Sequence, residues 1–333
     1  MDKKLLVFTH GGGRLGNQII NQINLLSFWI ENKSEFDIAN LSFTRYAPEY
    51  FGDKDECFLG EVKFDASLNT ILKFFGDGFD QTPGHKLKNF WNTLRCISLH
   101  GLASVRSDAQ SILSGPTIKR GVPGNEVGSL NLDDSADISL LQARKLTMLA
   151  GWGVRCWDLV QKHCSAIRSR ILPHPQYLKP AKNLVSNARS QVDTVVGVHM
   201  RQTDYKKWKN GRYYFEFSSY RKWMYKVEKS IEGRVAFIVA SDRRQDIRRM
   251  SGLSAIRASG MEGEGGHFIE SLVELSLCDY IMAPPSTFSG IAAFIGEVPI
   301  VPLYEGVEVD RFEKLDNHLF DAISHNHMSK AVK

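Results

Sequence analysis

Two residues apart in an apolar run, His199 and Arg201 end the segment TVVGVHMR (194–201), and Asp204 follows three positions later. Side chains alternate along a strand, so His199 and Arg201 share one face while Val198 and Met200 take the other. Arginine presents a planar fork of donors that matches phosphate oxygens. A charge at the end of a buried strand is costly unless it is paired. Two arrangements meet that cost: an anionic ligand, or an Arg201–Asp204 ion pair that caps the sheet. A second carboxylate, Asp242, ends the run RVAFIVA (234–240) in the sequence IVASDRRQ. It suits a nucleoside base or ribose, and its spacing to Gln245 equally suits a helix capping box.

Two further stretches have the chemistry of anion sites. In APPSTFSG, Pro284 and Pro285 stop a strand, and Ser286, Thr287 and Phe288 open an apolar helix. Helix N-termini offer free amides and a partial positive charge, and hydroxyls beside them complete an anion site; a serine N-cap is the plainer alternative. In THGGGRLGNQ (9–18), Gly11, Gly13 and Gly16 satisfy G-x-G-x-x-G, with Arg14 and Asn17 between strand and helix. That turn can hold a dinucleotide, a phosphate or nothing. The dinucleotide reading needs an acid near the end of the second strand, and Asp37 stands at its start.

The elements that position these residues alternate. Strands are expected at 4–9, near 36–43, and at 145–152, 194–201, 234–240, 255–258, 280–283 and 298–303. Helices are expected at 16–31, 156–171, 216–230, 243–250, 267–278 and 289–295. This is the signature of βα units on mostly parallel sheets. Residues 77–135, rich in Gly, Asp, Ser and Pro, read as variable loops. The three prolines of ILPHPQYLKPAK (171–182) suggest a linker. The expectation is α/β with two Rossmann-like lobes, 1–175 and 176–333, and a cleft between them. All four stretches then lie at carboxyl ends of strands, where ligands bind in open parallel sheets.

The 333 residues are 43% hydrophobic and 24% charged, with net charge +5. The composition is that of a globular chain, and the scattered cations do not suggest a nucleic-acid partner. Five cysteines without a CxxC pair argue for reduced, buried thiols rather than disulfides or zinc. No window approaches the roughly 18 apolar residues of a membrane span, and no signal-peptide pattern precedes the first strand. The expectation is a cytoplasmic protein with at most peripheral membrane association.

Taken together, GGGRLGNQ, HMRQTD, ASD and ESLVELSLCDYIMAPPSTFSG resemble the motifs of the fucosyltransferase superfamily of α-1,2-, α-1,6- and protein O-fucosyltransferases. LAGWGVRCWDLVQKHCSAIRSRI is similar to a strand–helix segment of its α-1,2 members. The resemblance covers the C-terminal half well and the N-terminal half mainly at 5–25 and 147–171. It implies a GT-B fold, GDP-β-L-fucose as donor, a glycan or polysaccharide acceptor, inversion, and no cofactor or required metal. It implies that Arg201 holds the diphosphate, that His199 and Asp242 meet guanosine, and that Ser286, Thr287 and Phe288 hold phosphate and base. Arg14 and Asn17, with Gly13 and Gly16 shaping their turn, would reach the donor from the first lobe. Gln202 stands where many members carry a second arginine, and Gly290-Ile291 where α-1,2 enzymes carry an aromatic pair.

An acceptor hydroxyl needs a base, and Asp204 and Glu216 are the candidates, since a carboxylate in a desolvated cleft is tuned upward. Glu216 lies in the aromatic run NGRYYFEF, which could stack on a sugar or simply pack a core. Asp53-Lys54-Asp55 reads as a solvated loop, His267 as structural, His325 and His327 as tail residues, and Arg243, Arg244, Arg248 and Arg249 as one solvated helix face. Three alternatives remain: another GDP-deoxysugar as donor, a non-catalytic glycan- or nucleotide-binding relative, and an NAD-dependent oxidoreductase built on the glycine turn.

Overall fold

The computed structural model describes residues 3–63, 94, 97–114, 125–261, 263–309 and 311–312. His325, His327, Cys96 and much of 77–135 lie outside them. The chain divides into two compact units, Met1–Ile171 and Leu172–Lys333.

In the first unit a six-stranded sheet runs in the order β3-β2-β1-β7-β4-β5. Its strands are β1 (Lys4–His10), β2 (Phe36–Asn40), β3 (Phe58–Leu59), β4 (Ala109–Ser114), β5 (Asn125–Val127) and β7 (Leu146–Gly151). All pairings are parallel except β2 with β3. A separate two-stranded ribbon joins β6 (Leu130–Asn131) to β8 (Val154–Arg155). Strands buried on both faces read as continuous apolar runs, which is why KLLVF was legible.

β4 corrects the expectation of loops across 77–135. Its sequence, AQSILS, looks polar, yet Ser111 and Ser114 are buried in the sheet. The hydroxyl of Ser111 is satisfied by His100 Nδ1, from the helical stretch 97–105. At the far side of the pair, Gly151 (φ +139) brings β7 so close to β4 that a Cβ would lie 1.7 Å from the Ser114 carbonyl oxygen.

Helix α1 (Leu15–Asn32) follows β1. Its run NQIINQIN is polar but mostly buried, and three of its amides bond to neighbouring elements. Gln18 Oε1 accepts from Ser42 Oγ at 2.7 Å, Gln22 Oε1 from Asn40 Nδ2 at 2.8 Å, and Asn24 Oδ1 from the Cys156 amide at 2.8 Å. These bonds tie the helix to the end of β2 and to β8. The single helix expected over 156–171 is two, α2 (Trp157–Lys162) and α3 (Cys164–Arg170), broken at His163, whose ring reaches Glu31 at 2.7 Å.

The second unit holds a five-stranded, all-parallel sheet in the order β11-β10-β9-β12-β13. The strands are β9 (Thr194–Met200), β10 (Val235–Ser241), β11 (Ser254–Arg257), β12 (Tyr280–Ala283) and β13 (Ile300–Pro302). The linker expected at 171–182 is mostly helix: α4 runs Pro175–Arg189. Pro175 occupies a first-turn position, where a missing N–H costs nothing, and Pro180 is carried inside. Helices α5 (Phe217–Ser230), α6 (Phe268–Ser276) and α7 (Thr287–Gly296) complete the unit. Val196, Val198 and Met200 pack with Tyr220, Met224 and Val227 of α5 and Phe237 and Val239 of β10. Each such side chain contributes roughly 1.5–3 kcal/mol by leaving water, and this packing turns His199 and Arg201 to the opposite face.

Candidate active site

The chain order reverses beside β9: β10 and β11 are added on one side, β12 and β13 on the other. The crevice at such a switch point, outside the carboxyl ends of the strands, is where open α/β sheets bind ligands. In the second unit the residues flanking it are His199 and Arg201 after β9, Asp242 after β10, and Pro284–Phe288 after β12.

Arg201 is held in a fork. Its Nη2 donates to Asp204 Oδ2 at 2.9 Å, its Nη1 lies 3.2 Å from Asp242 Oδ2, and its guanidinium lies 5.7 Å from the Tyr205 ring centroid. The Arg201 side chain is 18% exposed and that of Asp242 14%, whereas Asp204 is 44% exposed. Two carboxylates thus hold one guanidinium, leaving a partly exposed fork aimed by its partners.

Asp242 corrects the capping-box expectation. No helix follows it; only a 3₁₀ turn, Ile247–Met250, forms later. Its carboxylate accepts from the amides of Gln202 and Thr203, at 2.8 and 3.2 Å, and from the Thr203 hydroxyl at 2.5 Å. Gln245, which would have completed the box, instead donates to Gln202 Oε1 at 2.8 Å. Gln202 in turn donates to the Phe215 carbonyl at 3.0 Å, so the residue at the second-arginine position braces the loops rather than the crevice. For the same reason the four arginines are exposed but do not share one helix face.

His199 is 4% exposed, and its Nδ1 is buried without a hydrogen-bond partner. Burial first, then the Arg201 charge, pull its pKa down to about 4 against the opposing pull of Asp242 and Asp204. It is a neutral imidazole, 5.1 Å from the ring of Phe288. Phe288 sits in the first turn of α7, where Ser286 caps the helix by accepting from the Phe288 amide at 3.3 Å. Tyr205 ties the two edges of the crevice together: its hydroxyl donates to the Pro285 carbonyl at 2.5 Å. Arg201, His199, Asp242 and the 286–288 turn are therefore brought together. Glu216 is not: it is exposed at the start of α5, where it accepts from the Tyr214 hydroxyl at 3.1 Å. With Asp204 also exposed, the desolvation expected for either candidate base is absent within this unit.

The first unit carries the glycine turn after β1. Gly12 and Gly13 have φ of +70 and +75, conformations that glycine adopts without strain. Asn17 folds over Gly13, and Asn21 packs on Gly11 with both side-chain polar atoms buried and unpartnered. Arg14 is the exposed N-cap residue and makes no side-chain cap bond. Gly16 lies in the first turn of α1. Sequence reasoning missed Ser42 and Arg45, which serve this turn from the chain after β2: Ser42 Oγ accepts from the Gly11 amide at 3.0 Å and Arg45 donates to the Gly13 carbonyl at 3.1 Å. It also missed the bond of Tyr205 to Pro285, and it gave Gln245 to a cap rather than to Gln202. Nothing in their spacing marks them; only the strand order does.

No family model and no curated protein matches the chain. Solved structures do. A point mutant of Arabidopsis thaliana FUT1 in complex with GDP aligns over 92% of this chain and 72% of that one, with TM-score 0.53 and 13% identity. POFUT1 in complex with GDP-fucose aligns over 91% and 99%, with TM-score 0.48 and 13% identity. NodZ α-1,6-fucosyltransferase soaked with GDP-fucose aligns over 95% and 100%, with TM-score 0.47 and 14% identity. At such identities the likeness is one of fold, and the fold is the GT-B-like architecture of Arabidopsis thaliana FUT1 that the sequence motifs had implied.

Proposed function

We propose that the chain is a glycosyltransferase that moves L-fucose from GDP-β-L-fucose to a hydroxyl of a glycan or polysaccharide acceptor, with inversion and without a required metal ion. The observation that carries this reading is the switch-point crevice of the second unit. It pairs a neutral, buried His199 whose Nδ1 lacks a partner with an Arg201 fork and the capped start of α7. A buried polar atom without a partner asks for a ligand, and the neighbouring charge suits a diphosphate.

In this reading Arg201 and the α7 N-terminus stabilise the charge that develops on departing GDP. Each preorganised donor of this kind lowers a barrier by roughly 3 kcal/mol. His199 and Phe288 meet the base, Ser286 and Thr287 the phosphate, and Asp242 acts by holding Arg201 and the 202–203 amides. Gly13, Arg14, Gly16 and Asn17 serve the sugar end of the donor. Asp204 and Glu216 are the two candidates to receive the acceptor proton. The proposed setting is cytoplasmic; among the described residues no helix is long and apolar enough to cross a membrane.

The test is calorimetric titration with GDP, GDP-fucose, GDP-mannose and NAD, followed by transfer assays on a glycan panel. GDP-fucose binding and transfer support the proposal. Preference for another GDP-sugar changes the donor, binding without hydrolysis or transfer makes the chain a binding protein, and NAD binding without GDP binding overturns the reading.

A further inference from the structure

Directly after the Arg201–Asp204 pair, the loop YKKWKNGRYY (205–214) holds four cations within seven positions, Lys206, Lys207, Lys209 and Arg212. All four are exposed. The loop is nonetheless ordered by its own bonds. The amides of Lys207 and Trp208 donate to the Asp204 carbonyl at 3.1 and 3.0 Å, Arg212 N donates to Lys209 O at 3.2 Å, and Tyr214 N to Gly211 O at 2.9 Å. Its rings form a stack: Tyr205 and Trp208 lie 4.8 Å apart between centroids, Trp208 and Tyr213 5.8 Å. Cations lie over the faces, with Lys209 Nζ 5.2 Å from Trp208 and Arg212 5.5 Å from Tyr213.

This arrangement is held at a cost. Lys209 adopts left-handed backbone at φ 46, which residues other than Gly, Asn and Asp avoid and which recurs at functional positions; Asn210 follows at φ 57, where asparagine is tolerated. The like charges repel, and burial together with Arg212 lowers the proton affinity of Lys209. Arg243, at the end of β10, adds a further cation close enough to act on Tyr214. The flanking acids offset the strip only in part: Asp204 is engaged by Arg201, which leaves the one carboxylate of Glu216 against four cations. A strip of surplus positive charge on a loop ordered by an aromatic stack is complementary to an anionic chain. Among the described residues the exposed large apolar side chains are Val105, Leu140, Leu172 and Phe268, none of them in this loop.

We propose that the loop 205–214 receives an acidic glycan, whose anionic groups pair with Lys206, Lys207, Lys209 and Arg212. That the bound glycan is also the fucosylated acceptor rests on the donor reading above.

The test is fluorescence anisotropy with labelled hyaluronan, alginate and heparin fragments, a neutral chitin fragment, and phosphatidylserine vesicles as competitor. The intact chain is compared with a Lys207→Gln, Lys209→Gln, Arg212→Gln triple variant and a Lys206→Gln, Lys207→Gln double variant that leaves the left-handed positions untouched. At least one acidic fragment should bind about tenfold tighter than the neutral one. That preference should weaken with salt and fall by about tenfold in the triple variant, the scale of several exposed charge contacts. Titration with GDP should give the same affinity for all three proteins. Equal binding of acidic and neutral fragments, unchanged binding by both variants, or binding to vesicles without glycan overturns the inference. A chain that binds acidic fragments but not GDP keeps this surface and overturns the donor reading instead.

Discussion

Replacing Arg201 by alanine should weaken GDP binding by about two orders of magnitude. A hydrogen bond between charged groups contributes roughly 1.5–3 kcal/mol, and the fork can supply two. Both Nη atoms already carry carboxylate partners, which favours the low end, a total near 3 kcal/mol, or about 100-fold in Kd. A second effect follows from the fork itself. Without the guanidinium, Asp242 stays only 14% exposed and faces the incoming diphosphate unpaired. Like charges about 4 Å apart at an effective dielectric near 20 repel by roughly 4 kcal/mol. Adding Asp242→Asn to Arg201→Ala should therefore recover part of the affinity, although Asp242→Asn alone weakens binding by loosening the 202–203 amides. Arg201→Lys, which keeps the charge but loses the fork, should fall between. Isothermal titration with GDP at fixed ionic strength measures all four, with a thermal melt confirming that each is folded. If Arg201→Ala binds GDP as the wild type does, or if the double variant binds no tighter than Arg201→Ala, the argument from the fork fails.

Gly151→Ala should destabilise the first unit by about 3 kcal/mol or more, because its Cβ meets the Ser114 carbonyl in a strained backbone region. Gly12→Ala, at φ +70 with open space around it, should cost only about 1–2 kcal/mol; urea midpoints compare the two. Burial lowers the pKa of His100 to about 4 from 6.5, so its neutral form is favoured in the fold; that stability is intact above 6.5 and lost as pH falls toward 4. At pH 5 the loss is roughly 2 kcal/mol, and His100→Gln should remove that part of the urea-midpoint slope. Glu274 has the opposite sign: burial raises it to about 7 against the bonds from Ser259, so the folded state favours the protonated acid and loses stability as pH rises from 4.5 through 7. Glu274→Gln should abolish that loss, roughly 3 kcal/mol when complete, and steepen the overall rise of stability with pH; an unaltered profile would count against the buried acid.

Much of this was legible because parallel strands are buried on both faces. VVGV (195–198) and VAFIVA (235–240) are apolar without interruption, so the polar residues after each stood out. β4 was illegible because its buried positions include Ser111 and Ser114, whose hydroxyls look like surface until His100 is brought against one of them. Asp242 was legible as a strand end and misread as a cap, since local spacing cannot reveal that Gln245 is drawn to Gln202, 43 positions away. Likewise Gln202 looked like a vacancy in an arginine pair and proved to be a brace. Ser42, Arg45 and Tyr205 are placed by which strands lie side by side, and no periodicity encodes that.

The glycine turn shows the same limit and gives an answer about its ligand. Gln18 donates to the Gly12 carbonyl at 2.5 Å and Arg45 to the Gly13 carbonyl, while Ser42 takes the Gly11 amide. With those carbonyls committed, what the turn offers a ligand is amide hydrogens at an uncapped helix start, beside the Arg14 and Arg45 cations. Such a start favours an anion. A dinucleotide would also need a carboxylate for its ribose at the end of β2. Asp37 lies at the beginning instead, 3.2 Å from Lys3 and accepting from the Glu61 amide, and β2 ends at Asn40, which donates to Gln22. Each unit therefore places a guanidinium beside the start of a helix that follows a strand: Arg45 at α1, Arg201 at α7. Such a device suits an anion, the pyrophosphate of a dinucleotide included; what weighs against hydride transfer is the end of β2, where Asn40 stands in place of a carboxylate.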